Sequence, residues 1–86
     1  MTWITSAEYL GDYSLRLTFH DGFAAVVDLQ EEFIRDHRPI LHELSDLEKF
    51  KAFKVEYDTV VWDNGADLAP EYLRDVAEQQ MSIHTG

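Results

Sequence analysis

A chain of 86 residues has room for one core, and a hydrophobic content of 45%, with five Phe, four Tyr and two Trp, is enough to fill it without metal or disulfide help. The absence of cysteine excludes disulfides, thiolate nucleophiles and cysteine-ligated metal centres, and 17 acidic against seven basic residues give a net charge of −10, which repels phosphate backbones and anionic headgroups and attracts basic proteins. No apolar run approaches the ~20 residues that cross a bilayer, and the start "MTWITSAEYL" lacks the basic and apolar stretches of a signal peptide, so a cytoplasmic protein without membrane contact is expected.

From Trp3 to Leu29 the pattern is β. Leu15, Leu17 and Phe19 alternate with Arg16, Thr18 and His20, and Phe23, Ala25 and Val27 continue the apolar side on the next run. Asp21-Gly22 between the two runs predicts a hairpin with a two-residue type I′ turn over His20 to Gly22, since glycine enters positive φ without steric cost. Gly11-Asp12 predicts an earlier reversal. The three runs make an antiparallel meander.

From Gln30 a short turn of helix is expected, then a loop, because Pro39 ends a helix begun upstream. Ser45 with Glu48 three residues on reads as a capping box, which places a helix start at Asp46 with Leu47, Phe50 and Phe53 on one face. Lys54 to Trp62 is rich in β-branched and aromatic residues; no glycine marks a turn at Asp58-Thr59, so one bent strand and a hairpin both fit. Trp62 is expected to anchor the core with its indole N–H on a backbone acceptor, and Trp3 to be partly exposed. Asn64-Gly65 redirects the chain, and Pro70 opens a terminal helix to about Gln80 with Leu73, Val76, Ala77 and Gln80 on one face. At this strand-to-helix corner Asp67 is expected to accept from nearby amides, and Glu71 sits at the positive end of the helix dipole. Residues 1–80 are thus expected to form a single α+β domain: a three-stranded antiparallel meander, a short helix, one or two further strands and a C-terminal helix packed on the sheet. A flexible tail over 81–86 would follow.

The string Trp62-x-Asn64-Gly65-Ala66-Asp67-Leu68-x-Pro70-Glu71-x-Leu73, preceded by a segment of the form LxFxDGxxxxVDL from Leu17 to Leu29 and by Leu44-Ser45-Asp46 ahead of Phe50, resembles the bacterial domain of unknown function 2442 family over about Tyr13 to Leu73. The resemblance implies an α+β domain found alone or fused to a helix-turn-helix DNA-binding domain, and often encoded beside a second small protein in a toxin–antitoxin-like arrangement. Family members often carry Ser before the proline; this chain has Ala69, without that helix cap. With the sequence ending at 86, the fused domain is expected to be absent and any DNA role to be indirect.

Asp58, Asp63, Asp67, Glu71 and Asp75 carry the oxygen ligands a hard cation takes, but their spacing is not that of a calcium loop. His20, His37, His42 and His84 show no i, i+4 pair, and Ser6, Ser14, Ser45 and Ser82 show no nucleophile context. No catalytic residue, cofactor or metal site is therefore expected. The residues singled out are Trp62, Asn64, Gly65, Asp67, Pro70 and Glu71, as a structural corner that can also contact a partner. The function expected is a non-enzymatic interaction or regulatory module, the acidic antitoxin-like half of a two-gene pair, with a basic protein partner encoded nearby and no direct nucleic-acid binding. An acidic mimic of DNA and a small enzyme using the Asp63 to Glu71 carboxylates are the alternatives.

Overall fold

The computed structural model describes residues 1–35 and 38–85, and at 34, 35 and 81–85 the backbone alone. Strands β1 (Ile4–Gly11), β2 (Ser14–Phe19) and β3 (Ala24–Asp28) form an antiparallel sheet in that order. Leu15 lies opposite Val27 and Leu17 opposite Ala25, so one face carries Leu15, Leu17, Ala25 and Val27 into the core while Arg16 and Val26 face water. The alternation read from the sequence is the alternation of burial.

The turn between β2 and β3 is one residue longer than the expected type I′ turn. Gly22 N–H donates to the Phe19 carbonyl (3.0 Å) and Phe19 N–H to the Phe23 carbonyl (2.8 Å), with Gly22 at φ +87°. This is a three-residue loop, a type I turn closed by a left-handed glycine, and Asp21 Oδ1 accepts from Phe23 N–H (3.2 Å).

Helix α1 (Gln30–Arg35) follows, its first amide accepted by Asp28 Oδ1 (3.0 Å). Where a loop was expected after Pro39, the chain forms α2 (Pro39–His42) and a 3₁₀ turn (Glu43–Ser45). The helix begun at Gln30 does end ahead of Pro39, with Arg38 extended at ψ 122°, and Pro39 itself occupies the first turn of a new helix, where its missing N–H has no partner to lose. The expected capping box is also displaced. Asp46, not Ser45, caps α3 (Leu47–Phe50), accepting from Glu48 N–H at 3.0 Å, while the Ser45 hydroxyl donates to the His42 carbonyl (2.8 Å). Phe53 leaves the helix and starts β4 (Phe53–Glu56).

Strand β4 pairs antiparallel with β5 (Thr59–Trp62), so Lys54 to Trp62 lies in a hairpin. Its two turn residues, Tyr57 (φ +53°) and Asp58 (φ +67°), adopt the type I′ geometry without a glycine. The short strand β6 (Asp67–Leu68) completes a second sheet in the order β4, β5, β6. Ile4 N–H donates to the Asp58 carbonyl (2.8 Å), tying the first sheet to the second.

The terminal helix α4 (Pro70–Thr85) continues past Gln80, since no proline or glycine interrupts the sequence before Gly86. It packs against β3 through buried Leu73, Val76 and Ala77, and the Gln80 carboxamide accepts from Asp28 N–H and donates to the Asp28 carbonyl, both at 2.9 Å. Between the layers the aromatic centre is Phe50, fully buried, with Phe33 (5.7 Å), Tyr13 (5.3 Å) and Trp62 (6.1 Å) around it. Among the described residues, no helix is long and apolar enough to cross a membrane.

Candidate functional site

The corner from Trp62 to Glu71 repeats the turn construction of the first sheet. Gly65 N–H donates to the Trp62 carbonyl (3.0 Å), Trp62 N–H to the Ala66 carbonyl (2.9 Å), and Gly65 sits at φ +89°. As with Asp21 before Gly22, the side chain before the glycine stitches the loop: Asn64 Oδ1 accepts from Ala66 N–H at 2.9 Å. An aromatic residue, any residue, Asp or Asn, Gly: the same four-residue pattern builds both loops, at Phe19 and at Trp62. The shared signal lies in the sequence, although residue type alone points to a type I′ turn at Asp21-Gly22 and a simple redirection at Asn64-Gly65.

Trp62 is 3% exposed, and its indole N–H donates to the Phe50 carbonyl (2.9 Å), which is the core role expected of it. Asn64 reaches further, its Nδ2 donating to the Ile40 carbonyl (2.9 Å) and so pinning α2 to the corner. Nearby, the Lys49 ammonium holds the Glu43 carboxyl below the usual carboxylate range, with the Asn64 amide adding to the effect.

Asp67 departs from its expected role. It lies in β6 opposite Val61, exposed, and among the described residues its carboxylate makes no hydrogen bond or ion pair. The loop amide it was expected to satisfy belongs to Asn64, because the three-residue turn aims the Asn64 side chain, not the Asp67 one, back at the backbone. Pro70 opens α4, and Glu71 is exposed in its first turn.

Among the described residues, three open grooves flank this corner. One of about 440 Å³ runs between α1 and the start of α4, lined by Glu32, Phe33, Arg38, Asp67 and Tyr72, with the Tyr72 hydroxyl donating to Glu32. A second, of about 390 Å³, has Leu44, Ala52 and Trp62 beneath a rim of Glu43, Glu48 and Asp63. A third, of about 300 Å³, lies between the β4–β5 hairpin and the corner, beside Lys54, Glu56, Tyr57, Asp63 and Asp67. The carboxylates of Asp58, Asp63, Asp67, Glu71 and Asp75 are dispersed over the hairpin turn, the corner and α4, and among the described residues no three His, Asp or Glu side chains gather to hold a metal. His20 stacks on Trp3 (ring centroids 4.1 Å apart), His42 ends α2, and His84 is in α4; His37 lies outside the described residues.

These features define a small acidic α+β domain with a rigid, glycine-turned corner between grooves. The chain belongs to the DUF2442 family, a family of proteins of unknown function, whose model matches residues 4–79. Among solved structures it is similar to the crystal structure of a putative DNA-binding protein of Nitrosomonas europaea, at 25% identity and a TM-score of 0.78 over 95% of this chain. The match covers 52% of that protein, so this chain spans about half its length. No curated protein matches the chain.

Proposed function

We propose that this domain is a non-enzymatic module that binds a basic protein, in the manner of the acidic, antitoxin-like half of a two-gene pair. The observation that supports it is how the charge is distributed. Arg16, Lys49, Lys51, Lys54 and Arg74 each lie within ion-pair distance of a carboxylate of the same chain, at 3.1 to 3.7 Å. With these cations each paired at the surface in this way, the remaining excess of acidic residues steers a basic partner toward the domain, raising encounter rate more than final affinity.

The similarity to a putative DNA-binding protein about twice this length favours a second reading, in which the domain governs a DNA-contacting element through protein contacts. Its field opposes contact with the phosphate backbone itself. Affinity purification at native expression tests the proposal, with the product of the neighbouring gene expected to co-purify. Titration of labelled duplex DNA to ~100 μM, above ordinary micromolar non-specific binding, is expected to show none. Saturable, salt-sensitive DNA binding together with no co-purifying protein would overturn it.

A further inference from the structure

We propose that the outer face of the second sheet, with Tyr57 at the tip of its hairpin, is the docking surface for an arginine- or lysine-bearing segment of a protein partner. This rests on the protein-binding reading above and names where and how such a partner is held.

Three observations meet there. Tyr57 is 89% exposed, yet it occupies a left-handed position (φ +53°) that asparagine or glycine adopts with less strain. So exposed a tyrosine contributes little to the core, while a partner would gain a broad aromatic face. Second, Lys54, Val61 and Asp67 lie side by side across β4, β5 and β6, and Glu56 and Asp63 join them around the groove, so three carboxylates surround half-buried Val61 against one ammonium.

Third, the carboxylates already accept a cation of the chain itself. Lys54 Nζ lies 3.7 Å from Glu56 and 3.5 Å from Asp63, in pairs exposed enough for an incoming cation to displace. Asp67 keeps an unpaired carboxylate beside them. An arginine fits this arrangement by its chemistry. Its aliphatic stem lies along Val61, its planar guanidinium stacks on the Tyr57 ring, and its N–H groups fork onto the carboxylates. A second copy of this chain would bring more negative charge to the same place and is disfavoured by it.

Titrating the isotopically labelled protein with a short peptide of alternating arginine and alanine, against its glutamate counterpart, tests the site by amide shifts. Shifts are expected at Glu56, Tyr57, Asp63 and Asp67 with the arginine peptide alone. Tyr57→Asn and Asp67→Asn should each weaken binding roughly tenfold, the scale of a lost cation–π or charged contact, while Tyr57→Phe retains it. Tyr57→Asn should melt no lower than the parent, because asparagine tolerates the turn, which separates lost binding from lost fold. Saturable binding that both Asn variants leave intact, or shifts centred elsewhere, would overturn this surface while sparing the acidic-module reading. Absence of any saturable arginine-peptide binding would overturn both, and concentration-dependent self-association through Tyr57 would replace the proposed occupant.

Discussion

At Trp62 the energetics are those of a core side chain: 3% exposed, wedged edge-on against Phe33 at 5.8 Å, with its N–H satisfied. Truncation leaves a cavity and an unpaired Phe50 carbonyl, so Trp62→Ala should cost about 3 to 5 kcal/mol in urea melts. Asn64→Ala removes the acceptor for Ala66 N–H and the donor to Ile40, and should cost about 1 to 2 kcal/mol. At Gly65 a Cβ would meet Ile40 Cδ1 at an ordinary 3.7 Å, so the penalty of Gly65→Ala comes from φ +89° alone, about 1 kcal/mol. Asp67→Ala should change stability by no more than about 0.5 kcal/mol, as befits an exposed residue with no bond to lose. The burial of Trp62 and the conformation of Gly65 were legible in residue type. Which carboxyl or amide reaches which N–H was not, because that depends on whether the loop closes over two residues or three.

At the scale of elements, Arg74 joins α4 to the β2–β3 hairpin. Its guanidinium lies 4.1 Å from the Phe23 ring centre and 5.2 Å from that of Phe19, and it pairs with Asp21 at 3.1 Å. The hydrogen bond from Arg74, aided by Phe23 N–H, holds the Asp21 carboxyl below its usual range, while Asp21 raises the pKa of Arg74. Because the folded pKa of Asp21 lies below the unfolded one, its contribution is present above the unfolded value and is lost as pH falls through the folded value. Thermal melts from about pH 4 downward should therefore show a shallower acid loss in Asp21→Asn than in the parent. An unchanged slope would mean that the pair does not couple helix to hairpin. The helix caps teach the same lesson from the other side. Ser45 and Asp46 are both good caps by type, and the 3₁₀ turn before α3 engages Ser45 with His42, leaving Asp46 to cap.

For the whole molecule, net charge dominates. At −10 the folded chain repels itself, and the described ion pairs other than those of Arg74 are exposed ones of small individual worth. Raising salt from ~0.01 to ~1 M, which shortens the Debye length from about 30 to 3 Å, should raise the melting temperature. A fall would show that the surface pairs outweigh the repulsion.

The sequence by itself determined the α+β class, the meander, the face that Leu15, Leu17 and Val27 bury, and the start of the terminal helix. Each follows from local periodicity or from a residue with one conformational use. Tertiary structure decided what two competing local signals left open. The β4–β5 hairpin forms through Tyr57 and Asp58 although neither is a glycine, because cross-strand pairing and the Ile4 to Asp58 bond hold φ positive there. Asp67 reads like a corner acceptor, yet its side chain is left at the surface once Asn64 has taken the loop amide. Short-range pattern ranks the conformations a segment can adopt, and long-range contacts select among those that lie within a few kcal/mol of one another.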